Sequence, residues 1–435
     1  MAEPSDRPDA PERVEWLELF FDLVVVAAVA VFSDALREDP SSAGFGIFLV
    51  TYGAVWFAWV SVVMYADVAA ELTRVRTVVV SMLLLAVMAA AAPGHAGHRA
   101  NAFAGAFLLV RLFAARGSLR TGRLITSWPL LQSGSFMVPW IVSFWVPVPG
   151  KYVLWGAAVV FELGLVLVRG DQMVEQTVSH YRQRLDKRQE AEARHEVRVR
   201  EDEAAGEGEA RRGREARRGQ RRASRREVPE LQQVGVDRAH LDERLGLFVI
   251  IVLGESVAAL VLIAARSEWT KEFVSTSVAS FVLLVLLWLL TFSYGFASAP
   301  GVRLGDLAPR LSLPIHLVTT TGILLLGVGL GEAPATDERL HGLIVWLTCG
   351  GLALHALASG IAGLLGGTGR FWLLSCALPS TVFPLLVAAI DSSLEDGLGD
   401  PLLIWLLALP VGWQFLYAQR HSALLRLGKL TPSQP

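Results

Sequence analysis

Cysteine and charge are both scarce in this chain, and each scarcity closes off a class of protein. Only two cysteines occur in 435 residues, Cys349 and Cys376, and both stand inside apolar stretches. A disulfide-stapled secreted scaffold or a thiolate metal site needs more sulfur at tighter spacing, so the pair is expected to be buried thiols. Charged residues make up 18% of the chain against 53% hydrophobic, short of the roughly 25% charge of soluble domains. The acidic, Pro-rich start (Met1–Glu15) has no basic segment and no small-residue cleavage site after the first apolar run. It does not read as a cleaved signal peptide, and the first apolar segment is expected to remain. A nucleotide-binding glycine loop, a nucleophile elbow and a His/Cys/carboxylate cluster at metal spacing are all missing too. No cofactor and no metal is therefore expected.

What the chain does have is long apolar runs separated by polar punctuation. Each approaches the roughly 20 residues needed to cross a bilayer core about 30 Å thick. The runs predict an all-α, polytopic membrane protein with about twelve spans. These fall at 16–35, 45–66, 76–93, 100–116, 124–147, 151–169, 244–265, 272–296, 311–330, 341–366, 371–390 and 401–419. With both termini cytoplasmic, the inner segments hold Arg7, Arg13, Arg74, Arg76, Arg116, Arg120, Arg123, Arg303, Arg310, Arg370, Arg420, Arg426 and Lys429. The outer loops hold only Arg37, Arg99, Lys151, Arg266, Lys271 and Arg339. That asymmetry follows the positive-inside rule and favours an even number of spans.

The spans fall into two halves, 1–169 and 241–435, flanking a polar segment, 170–240. In that segment Glu201–Glu209 is acidic, and Arg211–Arg226 carries nine arginines and one glutamate. Charge blocks of this kind are solvated. The arginine block is an expected contact for anionic lipid headgroups, where each arginine contributes about 1 kcal/mol. No aromatic residue lies between those arginines to stack on bases, so nucleic acid is not an expected partner.

The halves resemble each other. Laying Glu15-Trp-Leu-Glu-Leu-Phe over Glu243-Arg-Leu-Gly-Leu-Phe needs no gap. Trp59 precedes Tyr65 as Trp288 precedes Tyr294, and Leu154-Trp155 aligns with Ile404-Trp405. Six spans per half put both halves in the same orientation, as parallel repeats about an axis along the membrane normal.

Charges inside the spans are the candidate functional residues, because each costs about 2.5–3.5 kcal/mol at mid-bilayer even on lenient scales. Glu18 and Asp22 are four residues apart and share one helix face. Glu255, Arg111 and Glu162 are the other ionisable residues at membrane depth, and His316 stands in the ninth span. Glu18, Asp22 and Glu255 are expected to converge on one polar site. Arg111 and Glu162 fit a buried clamp between helices as well as a pathway, and His316 and His355 fit hydrogen-bonded core positions. Gly350-Gly351, Gly360 and Gly366-Gly367 suit close helix packing.

Two strings carry a family resemblance: Glu18-Leu-Phe-Phe-Asp-Leu-Val, and His240-Leu-Asp-Glu-Arg-Leu-Gly-Leu-Phe-Val-Ile-Ile-Val-Leu-Gly-Glu-Ser. With Trp56/Trp59, Trp155 and Glu162, His316 with Gly322-Ile323, and Gly350-Gly351, they resemble the bacterial low-temperature-requirement A (LtrA) family. The family's Tyr-x-Asn-Arg-Phe after the second span is replaced here by Tyr65-Ala66-Asp67-Val68-Ala69. The resemblance implies a multi-pass protein of the bacterial inner membrane and carries no substrate. The leading expectation is a transporter or channel-like protein rather than an enzyme. The alternatives are a membrane-embedded enzyme acting on a lipid or isoprenoid, and a membrane stress or sensory protein.

Overall fold

A computed structural model describes residues 12–68, 71–92, 99–121, 123–125, 137–167, 194, 232–234, 238–300, 302, 307–333, 340 and 342–426. In the first half these form α1 (Glu12–Glu38), α2 (Ser42–Val68), α3 (Glu71–Ala90), α4 (Ala100–Thr121), the short α5 (Met137–Val142) and α6 (Gly150–Leu167). In the second half they form α7 (Arg238–Ala264), α8 (Lys271–Tyr294), α9 (Pro309–Glu332), α10 (Leu343–Leu365), α11 (Arg370–Ser393) and α12 (Asp400–Arg426). Nine of these described helices are long and apolar enough to cross a membrane: α1, α2 and α6 to α12. The arginine block 211–226 and both chain ends lie outside the described residues.

The third, fourth and fifth expected spans fall short of that standard. α3 opens on Glu71, Arg74 and Arg76, and the apolar part of α4 is limited to Ala100–Ala115. The fifth differs in kind, because 124–147 is not one helix. Arg123–Ile125 is extended and pairs in parallel with Gln232–Val234, and the described helix from Met137 passes into a 3-10 turn at Ser143–Trp145. Pro147 explains why the helical turn ends there, since it removes a backbone donor and holds Val146 extended.

Burial sorts the helices into a centre and a rim. Every residue from Thr51 to Ala66 of α2 is buried, and α9 is buried along nearly its whole length. A helix covered on all sides needs no apolar stripe. They touch each other at the centre, where the Tyr52 hydroxyl donates to Thr320 Oγ1 at 2.6 Å. The rim helices turn bulky apolar residues outward, among them Phe20, Leu23, Phe161, Phe281, Phe292, Leu374 and Leu409. A water-soluble protein would not spread so large an apolar surface. α1 accordingly shows Leu19, Phe20 and Leu23 to the outside and buries Glu18 and Asp22.

α9 and α10 pack backbone against backbone. A Cβ on Gly322 would stand 2.6 Å from the Gly351 carbonyl oxygen, and one on Gly351 would stand 2.6 Å from the Gly322 carbonyl oxygen. Gly350, next to it, faces nothing within 4 Å. Gly351→Ala is therefore expected to destabilise the protein by about 1–3 kcal/mol, because two backbones must separate. Gly350→Ala should be neutral or stabilise by about 0.5–1 kcal/mol through helix propensity. Thermal unfolding of the two variants in one detergent checks this, and equal shifts would contradict the close crossing.

Candidate functional site

α1 and α7 meet near the end of the bundle where both begin, and their charges meet there too. Glu18 and Asp22 lie one turn apart on the buried face of α1. On α7, His240 and Arg244 are likewise four residues apart and face them. Arg244 donates from Nη2 to Asp22 Oδ1 at 3.0 Å and to the Glu18 carbonyl oxygen at 3.3 Å. Its Nη1 stands 3.8 Å from Glu18 Oε2, and His240 Nε2 is 3.3 Å from the same oxygen. Arg74 of α3 approaches Glu18 Oε1 at 3.7 Å. From α2, the Trp59 indole N–H donates to Asp22 Oδ1 at 2.9 Å.

Depth separates the two carboxylates. Asp22 lies about 9 Å along α1 from the first residue of its apolar segment at 1.5 Å per residue, and Glu18 about 3 Å. Asp22 is 1% exposed and Arg244 4%, whereas the His240 side chain is one third open. A cavity of about 10 Å³, at the lower limit for one water, is lined by Glu18, His240 and Arg244. The cluster is thus a buried ion-pair network with one edge reachable from outside the bundle. It joins α1, α2 and α3 to α7.

Above it, aromatic rings close the centre. Trp59 packs on Phe248, with ring centroids 4.4 Å apart, and stacks on His316 at 5.9 Å. The Trp56 indole donates to His316 Nδ1 at 3.0 Å, so the ring proton sits on Nε2, which reaches the Leu245 carbonyl at 3.1 Å. His316 is buried with both ring nitrogens hydrogen-bonded.

Arg111 and Glu162 form a second, separate site. Both are buried, and Arg111 Nη2 donates to Glu162 Oε1. Arg111 Nη1 also donates to Ser61 Oγ at 2.5 Å and to the Phe57 carbonyl at 3.4 Å. Phe57 and Ser61 lie on the side of α2 away from Trp56 and Trp59, so α2 stands between the two networks. This pair ties α2, α4 and α6 together.

Glu255 does not join Glu18 and Asp22. It is eleven residues beyond Arg244, about 16 Å along α7, and half-buried. The charges that act on it are Arg37 and Asp34 at the far end of α1. Arg37 pairs with Asp34 and lies over the end of α9, 3.1 Å from where a Cβ on Gly331 would be. The single three-carboxylate site expected from the sequence is therefore two sites at opposite ends. The helices run parallel, and eleven residues of rise cannot be folded back.

Arg244, His240 and Arg74 were not among the expected site residues. The sequence did hold a signal for the first two. The register that lays Glu15 over Glu243 puts Arg244 level with Trp16, near the carboxylates, and His240 one turn before it on the same face.

The sequence model of the family described as bacterial low temperature requirement A protein (LtrA) matches residues 13–408. The chain is also similar to an uncharacterized protein, RA0937, of Rhizobium meliloti (strain 1021). The two are 25% identical over 327 residues, an alignment covering 73% of this chain and 68% of that protein.

Proposed function

The chain belongs to the bacterial low-temperature-requirement A family, and from that premise we propose that it is a transporter or channel-like protein of the inner membrane. Its pathway runs between two parallel six-helix halves, residues 1–169 and 241–435. Both termini and the polar segment 170–240 face the cytoplasm, where Arg211–Arg226 contacts anionic headgroups.

One observation carries the reading. Asp22, a carboxylate of α1 that is 1% exposed, takes its counter-charge from the other half, through Arg244 of α7. A clamp internal to one half, such as Arg111 with Glu162, needs no such reach. Charges shared across the seam between halves are placed where alternating-access movement breaks and remakes contacts. Support for the repeat comes from the packing partners. α1 packs on α2 and α3, and α3 on α4; α7 packs on α8 and α9, and α9 on α10. The sixth helix of each half returns to the second, as Gly156 against Val50 and α12 against α8 illustrate. In this arrangement Trp59, stacked on His316, and Trp56, hydrogen-bonded to it, shut the pathway above the carboxylates.

Reconstitution tests the proposal. Liposomes holding the full chain and loaded with a pH dye or a K⁺ reporter should dissipate an imposed gradient faster than protein-free liposomes. Asp22→Asn should lose that flux while eluting as the same monodisperse species. Wild-type proteoliposomes indistinguishable from empty ones for both protons and K⁺ would sink the reading.

A further inference from the structure

The second half holds a set of polar groups that neither ion-pair network uses. On α10, His355, Ser359 and Gly363 recur at every fourth residue and so form one stripe. Thr319 of α9 faces its upper end, one turn before the Gly322 that lets the His355 backbone approach. Along the stripe Ser359 donates to the Ser298 carbonyl at 3.0 Å, and at its foot Thr368 donates to the Pro300 carbonyl at 2.9 Å. The ring of Trp372 lies against Gly363.

Four side chains here are at least 96% buried: His355, Thr319, Ser298 and Trp372. Among the described residues, Thr319 Oγ1, Ser298 Oγ, Trp372 Nε1 and both ring nitrogens of His355 have no hydrogen-bond partner. The His355 ring is turned toward the Thr319 carbonyl, which acts on it only as a weak, poorly aligned acceptor, and among the described residues no charged side chain acts on it. Their neighbours are satisfied. Thr320 and Thr321 each donate to the carbonyl four residues back, and His316 uses both nitrogens. Thr319 makes no such back-bond. Ser298 is held in the left-handed region with φ 50°, an arrangement that a non-glycine residue keeps only under constraint. Buried polar groups are nearly always paired, so a row of unpaired ones marks a place where something else bonds them.

We infer that His355, Thr319 and Ser298 form a hydrated, proton-carrying site in the second half. The chemistry selects water and a proton. Hydroxyls both donate and accept, and a neutral imidazole offers one donor and one acceptor, which together suit a water chain. Among the described residues the site has no carboxylate or thiolate, so a divalent cation would find too few of its preferred ligands there. Arg111 is the twelfth residue of α4, and His355 the thirteenth of α10. In the proposed repeat they lie at nearly the same height, one residue apart, one filled by an ion pair and the other by a neutral ring. That this hydration serves proton movement rests on the transport proposal above; that the site is hydrated does not.

Hydroxyl-radical footprinting of the full-length protein, read by mass spectrometry, tests the two parts separately. Radicals form from water, so oxidation of a buried side chain reports water beside it. His355 and Trp372 should be oxidised, while the equally buried His316 and Trp56 stay at background. The double variant Thr319→Val with Ser298→Ala should lose the His355 signal. Background oxidation of His355 in the wild-type protein would overturn the inference outright. In proteoliposomes His355→Leu should lose proton flux. Oxidised His355 with full flux in that variant would overturn the proton-carrying role and leave the transport proposal standing. Oxidised His355 with no wild-type flux of protons or K⁺ would remove the transport proposal and the proton-carrying role together, leaving the hydration alone.

Discussion

Arg244→Leu is expected to lower stability by about 3–5 kcal/mol, the usual cost of leaving a buried charge without its partner. Arg244 serves Asp22 directly and Glu18 through its carbonyl and carboxylate, and it is itself 4% exposed. Its loss leaves Asp22 with the Trp59 indole alone, which cannot balance a full charge in so buried a place. Arg244→Lys should recover only part of the loss, since one ammonium cannot reach the two acceptors that the planar guanidinium spans. Adding Asp22→Asn to Arg244→Leu should restore much of the stability, because the stranded charge is gone. Melting temperatures of the four proteins in one detergent check the order. Equal stability of Arg244→Leu and wild type would mean the carboxylates find other cover.

Arg111→Met should cost a similar amount, about 3–5 kcal/mol, by stranding Glu162 in a fully buried position. The double variant Arg111→Met with Glu162→Leu should be far less damaging than the single one. Replacing a whole buried pair with apolar groups of similar volume is often neutral or stabilising. Ser61 keeps its own bond to the Phe57 carbonyl in either case, so it is not left unpaired. The pair joins helices of one half only. Its double replacement is therefore expected to leave flux intact in proteoliposomes, and loss of flux there would place Arg111 and Glu162 in the pathway.

The helices were legible in the sequence because a long apolar run has few other ways to exist. The expected spans at 45–66, 272–296 and 311–330 lie within α2, α8 and α9 apart from a residue or two at their ends. The fifth was not legible: its residues satisfy hydropathy, and only backbone geometry shows the extended Arg123–Ile125 and the 3-10 turn at Ser143–Trp145. Burial of Glu18 and Asp22 followed from the cost of facing hydrocarbon. Their partners did not, because an arginine two turns inside α7 reads as a flanking charge until the two helix starts are brought level. Glu255 was grouped with them on charge alone, and position along parallel helices outweighs charge. Among the glycines, the sequence offered Gly350-Gly351 as a pair, while the crossing uses only Gly351. A periodicity does not say which side of a helix the neighbour is on.

The central claim is that the Glu18–Asp22–Arg244 network serves movement rather than only holding the halves together. A charge-neutral triple variant, Glu18→Gln, Asp22→Asn and Arg244→Gln, keeps hydrogen-bonding groups at all three places and strands no charge among them. Its melting temperature and its proton and K⁺ flux should be measured on the same preparation, beside wild type. The account predicts a protein that stays folded and monodisperse, with flux reduced to that of protein-free liposomes. A folded triple variant that carries wild-type flux would contradict it, and the network would then be a clamp.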